Sequence, residues 1–391
     1  MSESHNNKES EDKDTYKKSE AEDTGSHQAD DEQTEKKPEK RRRLPVWAII
    51  LLILAAVVMI GAACVYFYVQ SQLGRINRVE ADEQTVVAPE DEYFESGETM
   101  AESMEIMWPE DVKWDADAKT FAQEGVTNIL LIGQDGHAWE GRTRSDSMII
   151  VSINKNTKKI ALTSLMRDMY VQIPGYSDNR INAAYAFGGM ELLDETIAKN
   201  FSIKIDGNVV VNFDGFESVI DAIGGVDMEL TEKEAEYINK RNKDKGWTLT
   251  EGLNHLDGEK ALEYSRIRKV GDGDFERTDR QRRVLMEVFD KMKNISVTQL
   301  MELMNELFPL MTTDMSNSQI LGLGVDVLSM GVDSLETYRI PADDMYDEVR
   351  VFAIDGTAMD VLIPDLSECR LYFYHYVYGN EDSTEETQDG Y

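Results

Sequence analysis

TNILLIG (Thr127 to Gly133), SMIIVSI (Ser147 to Ile153) and KIALTSL (Lys159 to Leu165) are three short apolar runs near the middle of the chain. Each run is bounded by turn-forming or charged residues, which is typical of buried strands. The turn residues Asn154 to Thr157 separate the second run from the third, so these two runs are predicted to pair as a hairpin. A fourth run with strand character, GNVVVNF, covers Gly207 to Phe213.

Helical spacing of apolar residues follows these strands. The predicted helices are Ala183 to Phe187, Glu191 to Lys199, Phe216 to Ile223, Gly258 to Tyr264, Phe275 to Met292, Thr298 to Leu307 and Ser318 to Ser329. The Gly224-Gly225 pair is a helix stop, and late strands are predicted at Leu335 to Ile340 and Val349 to Ile354. The fold class is therefore α/β, with a mixed central sheet sandwiched between helices, because hairpin-linked strands exclude a purely parallel sheet.

One uncharged apolar run, Val46 to Val69, is long enough to cross a hydrocarbon layer of ~30 Å at ~1.5 Å per residue. Six basic residues from Lys36 to Arg43 precede the run, and only Arg75 and Arg78 follow it closely. This asymmetry predicts a single-pass signal anchor in the cell membrane, with a cytoplasmic amino terminus. The alternative is a cleaved signal peptide, which would need a far shorter n-region.

The remaining composition divides the chain into segments. Residues 1–43 are polar and are predicted to be a disordered cytoplasmic tail, and residues 379–391 are predicted to be an acidic disordered tail. Residues 70–120 are interpreted as an acidic extracellular stalk that can dock through Met104, Met107, Trp108 and Trp114, and residues 121–368 as the extracellular domain. Cys64 lies in the predicted membrane span and Cys369 near the far end, so no disulfide is expected, which fits a bacterial envelope protein.

A cluster of arginines contrasts with the net charge of -34. Arg266 and Arg268 are two residues apart, and Arg277, Arg280 and Gln281 follow at helical spacing on one face. The guanidinium group fits phosphate oxygens bidentately, so the cluster predicts an anionic ligand. A nucleic acid is excluded as that ligand, because an acidic domain outside the membrane would repel a polyanion. A solvated basic helix face is the alternative interpretation.

Charged residues also follow the predicted strands. Asp135 and Asp146 flank the first two strands and Arg167-Asp168 follows the third, so all of them are expected at one edge of the sheet. A pair of carboxylates beside phosphate oxygens is a typical arrangement for Mg²⁺. The alternatives are a turn cap at Asp146 and a surface ion pair at Arg167-Asp168. The usual nucleophile-elbow, P-loop, dinucleotide and zinc motifs are absent from the sequence.

The order of these motifs resembles that of the LytR-CpsA-Psr family of cell-envelope proteins. The resemblance covers residues 121–310 and comprises TNILLIGQD, GRTRSDSMIIVSIN, KIALTSLMRDMYVQIP, INAAYAFGG, VNFDGFESVIDAIGGVDMEL, LDGEKALEYSRIRK and GDFERTDRQRRVL. It implies an α/β sandwich outside the cytoplasmic membrane. It also implies a Mg²⁺-assisted phosphotransferase that moves a glycopolymer, such as teichoic acid or capsular polysaccharide, from a polyprenyl (pyro)phosphate carrier to peptidoglycan.

The resemblance also implies roles for individual residues. The metal-associated residues are Asp135 and Asp146. The pyrophosphate-binding residues are Arg144, Arg167, Arg266, Arg268, Arg277 and Gln281. The catalytic residues are Arg144, Arg167, Asp168 and Arg266, with Asp168 and Asp135 as candidates for the general base. Arg280, Arg282 and Arg283 are assigned to support or surface.

The chain departs from the family at Met166, where many members have a proline before the Arg-Asp pair. A proline would fix the backbone at the strand exit, so its absence raises the question of what holds this turn.

Two other functions stay open on sequence grounds. One is a pyrophosphatase acting on the lipid-linked carrier, and the other is a non-catalytic envelope scaffold or regulator of the transcriptional-attenuator type.

Overall fold

The computed structural model describes residues 59, 62–63, 65–78, 105–116, 118–136, 143–293, 296, 303–305, 307–352 and 358–379. Apart from Met59, these residues belong to one unit, Gly61–Tyr391. Both predicted tails, most of the predicted membrane span and most of the helix predicted at Thr298 to Leu307 lie outside the described residues. Within the described part of the chain, no helix has both the length and the apolar character needed to cross a membrane.

The strands and helices are numbered in chain order. The strands are β1 (Asn77–Arg78), β2 (Glu105–Met107), β3 (Val126–Gln134), β4 (Ser145–Asn154), β5 (Lys159–Leu165), β6 (Tyr170–Val171), β7 (Asn179–Arg180), β8 (Gly207–Val211), β9 (Val226–Leu230), β10 (Gly252–Leu256), β11 (Met311–Thr313), β12 (Glu336–Ile340), β13 (Tyr346–Phe352) and β14 (Ala358–Pro364). The helices are α1 (Ile181–Phe201), α2 (Phe213–Ala222), α3 (Glu232–Arg241), α4 (Gly258–Ser265), α5 (Gly273–Met292), α6 (Asn317–Met330) and α7 (Leu366–Tyr378).

The central sheet has the strand order β1-β11-β8-β3-β4-β5-β12. β4 pairs antiparallel with both β3 and β5, whereas β8 pairs parallel with β3 and β12 pairs parallel with β5. The sheet is therefore mixed, and the predicted hairpin between β4 and β5 is confirmed. The apolar runs that predicted these strands are buried because helices cover both faces of the sheet.

Alternate residues of each central strand face different layers. Leu130, Ile132 and Ile150 belong to the core under α1 and α7, which also contains Phe373. Ile129 and Val209 face the opposite side, where α6 packs against the sheet. The helices α2, α4 and α5 cover the rest of that side and enclose a cavity against the strands. This two-residue alternation is what a covered strand requires.

The described residues also form three smaller sheets, β10-β9, β14-β13-β2 and β6-β7. β9 and β10 pair antiparallel and share a core with α3 and α4. β2 pairs parallel with β13, so part of the segment interpreted as a stalk lies against the domain. Trp114 stacks on Tyr170 and donates a hydrogen bond to Asp178 at 2.9 Å, and Trp108 lies against Phe352 at 5.4 Å between ring centroids. Three of the predicted docking residues, Met107, Trp108 and Trp114, therefore contact the domain.

Candidate functional site

Three strand ends meet at one edge of the central sheet, as the sequence predicted. β3 ends at Gln134, β4 begins at Ser145 and β5 ends at Leu165. A Cβ at Gly133 would lie 2.9 Å from the Cβ of Ser147, so only glycine allows this close pairing, and a bulge follows at Gln134. The backbone N–H of Asp135 donates to the carbonyl of Arg144 at 3.2 Å. Asp135, Arg144 and Asp146 are thereby held at the same edge.

Asp146 is the centre of an ionic cluster. Its Oδ1 lies 2.7 Å from Nη1 of Arg167, and its Oδ2 lies 2.6 Å from Nη2 of Arg268. Nη2 of Arg277 donates to the backbone carbonyl of Asp146 at 3.0 Å. Burial alone would raise the pKa of the Asp146 carboxyl, but Arg167, Arg277 and Arg268 outweigh it and hold the pKa well below its usual range. The carboxylate is therefore charged at physiological pH.

Asp168 and Asp274 complete the acidic side of the cluster. Nε of Arg167 lies 3.3 Å from Asp168 and 3.4 Å from Asp274, and Nη1 of Arg180 lies 3.2 Å from Asp168. Burial opposes ionisation of Asp168, but Arg167 and Arg180 lower the pKa of its carboxyl. The same three carboxylates, from Asp168, Asp274 and Asp146, raise the pKa of Arg167 against the effect of burial. Arg167 therefore keeps its charge although it is largely buried.

Arg277 is buried without a full set of hydrogen bonds. The residue is 1% exposed, and its Nη2 contacts Asp274 at 2.8 Å. Its Nε and Nη1 are buried and make no hydrogen bond. Burial lowers the pKa of Arg277 to about 10, which leaves the guanidinium charged near neutral pH. Buried donors without acceptors are unfavourable and uncommon in proteins, so these two groups mark a place where an anion would be stabilised.

Arg266 and Arg268 approach the cluster from the loop after α4. Nη2 of Arg266 lies 3.4 Å from Oδ1 of Asp135, and its guanidinium lies 4.2 Å from the centre of the Phe213 ring. Arg280 holds this loop, because it donates to the carbonyls of Ile267 and Val270 at 3.0 Å each. Arg280 therefore fixes the loop that places Arg266 beside Asp135 and Arg268 beside Asp146.

Arg280 serves the fold rather than the cluster. Its Nε lies 2.6 Å from Oε1 of the buried residue Glu234. Arg282 and Arg283 both pair with Asp279 on the same helix. The prediction that Arg280, Arg282 and Arg283 give support or lie at the surface agrees with these positions.

The start of α5 depends on a glycine turn. Gly271 has a φ of +76°, and a Cβ there would lie 2.0 Å from a carboxylate oxygen of Glu276. This turn places Asp274 and Arg277 three residues apart on the first turns of the helix, facing the same side. Gln281 follows one turn later, where its Oε1 accepts a hydrogen bond from the hydroxyl of Ser147 at 2.9 Å.

A cavity of about 200 Å³ opens beside the cluster. Asp146, Arg266, Arg268, Arg277 and Gln281 form its polar side. Apolar side chains line most of the remainder: Leu131, Ile132, Ile149, Val211, Phe213, Phe216, Val219, Ile220, Leu262, Val284, Leu285 and Val288. Gly133, Gln134, Ser147, Asn212 and Ser265 complete the lining. A site with a cationic wall and an apolar interior fits an amphipathic molecule that carries an anionic head group. We call Arg167, Arg266, Arg268, Arg277 and Gln281 the anion clamp.

Comparison with known proteins identifies the family. The family model described as the LytR_cpsA_psr family matches residues 93–367, which is more than half of the chain. The chain belongs to the LytR_cpsA_psr family. The match begins within the segment interpreted as a stalk and includes β2.

Several LytR_cpsA_psr relatives resemble this chain. The "Regulatory protein MsrR" of Staphylococcus aureus (strain COL) is 33% identical over 241 residues, which are 61% of this chain and 71% of that protein. The "Polyisoprenyl-teichoic acid--peptidoglycan teichoic acid transferase TagV" of Bacillus subtilis (strain 168) is 32% identical over 254 residues, which are 62% of this chain and 64% of that protein. The solved structure of YwtF (TagT) with bound octaprenyl pyrophosphate lipid has a TM-score of 0.50 and 26% identity, and the match covers 65% of this chain and 91% of that one.

The turn that carries Arg167 and Asp168 is held without the proline that many LytR_cpsA_psr members have. The backbone N–H of Met166 donates to the carbonyl of Ile340 at 2.9 Å, and a proline could not make this bond. The Met166 side chain is also buried, and its sulfur accepts from the hydroxyl of Thr278 at 3.8 Å. In this member of the family, β12 and α5 fix the strand exit instead.

The sequence analysis missed two residues of the cluster, Asp274 and Arg180. Asp274 could have been recognised because it stands three residues before Arg277 at the start of a helix, where the two side chains face the same side. Arg180 offered no comparable signal, because its contact with Asp168 depends on how β6 and β7 pair. Both residues balance the charges of predicted members of the site.

Two carboxylates are available to a divalent cation at this edge. Among the described residues, no group of three or more His, Cys, Asp or Glu side chains is arranged to hold a metal ion. Asp135 and Asp146 flank the clamp, and Asp146 is held ionised by its arginine neighbours. Mg²⁺ is often bound by one or two carboxylates together with phosphate oxygens of the substrate, so this donor set fits Mg²⁺ on a bound phosphate.

Proposed function

We propose that this protein transfers a glycopolymer from a polyprenyl pyrophosphate carrier to peptidoglycan. The observation that carries the proposal is the anion clamp at the mouth of an apolar cavity, because such a site matches a pyrophosphate with an apolar tail. The names of the relatives support a transferase role, since TagV is named as a teichoic acid transferase and YwtF (TagT) has octaprenyl pyrophosphate bound. The proposed location is the outer side of the cell membrane, with residues 46–69 as the single span.

The clamp would bind the pyrophosphate through several arginines at once. Arg277 offers two buried N–H groups that make no hydrogen bond, so a phosphate oxygen there would accept hydrogen bonds that the protein itself does not supply. Arg268 and Arg167, which now share the carboxylate of Asp146, lie within reach of the same ligand. Fixed positive charges that face a transferring phosphoryl group stabilise the charge that develops in the transition state.

The proposed cofactor is Mg²⁺, with Asp135 and Asp146 as its protein ligands. When bound, Mg²⁺ supplies neutralisation of the phosphate charge during transfer. The protein side chains orient the phosphates and exclude water from the apolar part of the cavity.

The acceptor is a sugar hydroxyl of peptidoglycan, which by family resemblance is the C6 hydroxyl of N-acetylmuramic acid. Its oxygen attacks the phosphorus nearer the polymer, and polyprenyl phosphate leaves. Of the two candidates for the general base, Asp168 is the weaker, because Arg167 and Arg180 lower the pKa of its carboxyl. Asp135, whose side chain is 34% exposed at the edge of the site, is the proposed ligand of Mg²⁺ and would act as the base only without that ion.

An Arg266→Ala variant tests the proposal in a purified transfer assay with lipid-linked polymer and peptidoglycan. We expect a loss of about 10²- to 10³-fold in the transfer rate, the usual effect of removing one electrostatic stabiliser. Arg283→Ala is the matched control, because Arg283 lies on α5 with a side chain that is 40% exposed and is absent from the cavity wall. Transfer at the wild-type rate by Arg266→Ala would contradict the assignment.

A non-catalytic regulator is the alternative from another functional class, and the name of MsrR keeps it under consideration. A double variant, Asp135→Asn with Asp146→Asn, separates the two functions in a strain that lacks the protein. Loss of complementation with normal protein abundance supports the enzyme. Full complementation by the double variant would favour the regulator.

A further inference from the structure

The helix α6 has an apolar face on each side. Ile320, Leu323 and Val327 pack toward the central sheet. On the outward side, Leu321 is partly exposed, Val325 is 64% exposed and Leu328 is 83% exposed. These three residues are four and three positions apart, so they form one stripe along the helix.

The outward stripe carries no charge. Ser318, Gly322 and Ser329 lie at the neighbouring outward positions of the helix. The charged residue of α6, Asp326, pairs with Lys155 at 3.0 Å. In a chain with 30% charged residues and a net charge of -34, an uncharged, exposed apolar stripe of this length indicates a surface that contacts something apolar.

The start of α6 is joined to the segment that follows the predicted membrane span. Nδ2 of Asn317, the first residue of α6, donates to Oε1 of Gln70 at 3.0 Å, and the guanidinium of Arg78 donates to Oδ1 of Asn317. Before β11, Asn305 donates to the hydroxyl of Tyr68 at 3.0 Å. Gln70 is the first residue after the predicted span of 46–69, so no linker separates the span from α6.

We propose that the outward stripe of α6, formed by Leu321, Val325 and Leu328, contacts the outer surface of the lipid bilayer. The proposal rests on the predicted span, because that span brings the bilayer to Gln70 and hence to Asn317. A helix with one apolar exposed side lies in the interface with that side at the boundary between head groups and acyl chains. Such a contact fixes the orientation of the domain on the membrane in which the polyprenyl carrier is dissolved.

Two other occupants of the stripe would be a second copy of the chain and the segment of residues 79–104. The segment is rich in acidic residues, which makes it a poor cover for an uncharged stripe. A bilayer contact follows directly from the position of Asn317 beside Gln70, whereas the structure offers no such argument for a second copy.

The test uses the full-length chain in lipid nanodiscs, with Cys64 and Cys369 replaced by alanine. One fluorophore is attached through Leu328→Cys, and its quenching by spin-labelled phospholipid is measured. Leu253→Cys is the matched control, since Leu253 is 75% exposed on β10, and Phe67→Cys is the reference for the predicted span, with an exposure of 70%. We expect quenching at Leu328→Cys to be several-fold stronger than at Leu253→Cys and comparable with that at Phe67→Cys.

Each other outcome overturns the proposal. Quenching at Phe67→Cys alone would place the stripe away from lipid, and no quenching at either position would also refute the span. Protection of Leu328→Cys from a water-soluble quencher without lipid quenching would show that protein covers the stripe. The measurement needs no transfer activity, so its failure is distinguishable from failure of the proposed function.

A second pair of variants controls for misfolding caused by the label at Leu328→Cys. Val325→Glu with Leu328→Glu places two charges on the stripe, and a fluorophore at Leu321→Cys reports the contact. We expect lipid quenching at Leu321→Cys to fall to the level at Leu253→Cys, while Val325→Leu with Leu328→Ile leaves it unchanged. Equal quenching in both pairs would contradict the contact.

Discussion

Arg277 and Arg280 lie one turn apart on α5, are 1% and 0% exposed, and have different surroundings. Arg280 binds Glu234, Glu276 and two backbone carbonyls, so its guanidinium is well satisfied within the protein. Arg277 keeps two buried N–H groups without hydrogen bonds and faces the cavity. In this pair, an incomplete set of hydrogen bonds on the wall of the cavity, rather than burial, separates the arginine placed to bind a ligand from the arginine that serves the fold.

The largest expected effect belongs to Arg280. Replacing it by alanine leaves the buried carboxylate of Glu234 without its close cation, and such a loss costs about 3–5 kcal/mol in the free energy of unfolding. Urea unfolding followed by circular dichroism measures the change. Arg241→Ala is the control, because Arg241 is 56% exposed and pairs with Glu263 at the surface. A change within about 1 kcal/mol for Arg280→Ala would remove the distinction between the two arginines.

Arg277→Ala is expected to lower the transfer rate by about 10²- to 10³-fold, or roughly 2.7–4 kcal/mol of transition-state stabilisation. Its effect on unfolding is expected to be much smaller than that of Arg280→Ala, because Asp146 and Asp274 keep Arg167 as a partner. The transfer rate and the free energy of unfolding are measured on the same preparations of each variant. A larger loss in the free energy of unfolding for Arg277→Ala than for Arg280→Ala would contradict the comparison.

The difference between these arginines also shows what the sequence could predict. TNILLIG, SMIIVSI and KIALTSL predicted β3, β4 and β5 because buried strands leave a continuous apolar run. In contrast, β9 and α3 were missed, since VDMEL has the alternating pattern of a half-buried strand rather than a continuous apolar run, and α3 is mostly charged. The spacing from Arg277 to Gln281 placed both residues on one face, but it placed Arg280 there too. Its actual partner, Glu234, lies 46 residues away along the chain and is set by tertiary packing.

A third group, the half-buried Asp194, sharpens the comparison because it has an amide partner in place of a cation. Nδ2 of Asn208 donates to it at 2.7 Å, and burial raises the pKa of the Asp194 carboxyl to about 7. The unfolded chain ionises this group near pH 3.8, so the native protein loses stability as pH rises from about 4 to 7 and no further above that.

Asp194→Asn removes this ionisation. We expect the variant to be more stable than the wild type by on the order of 2 kcal/mol at pH 8, with the difference shrinking below pH 7 and vanishing near pH 4. Thermal unfolding across this pH range measures it, and Asp333→Asn at an exposed position is the control. A difference that is independent of pH would show that Asp194 is not the titrating group.

The smallest expected effect concerns Ser147, whose hydroxyl positions Gln281 at 2.9 Å. Ser147→Ala removes one neutral hydrogen bond, so we expect the transfer rate to fall by about two- to tenfold. Ser318→Ala on the exposed surface of α6 serves as the control for a serine outside the site. A loss as large as that of Arg277→Ala would mean that Ser147 acts on the substrate itself.

The central claim is tested most directly by following the polymer. Purified protein receives a polyprenyl-pyrophosphate-linked polymer that is labelled in its sugar, with and without peptidoglycan. We predict that the label becomes bound to peptidoglycan when the acceptor is present, with equal release of polyprenyl phosphate, and stays on the carrier when it is absent. Release of free polymer at the same rate with and without peptidoglycan would contradict the account and identify a pyrophosphatase.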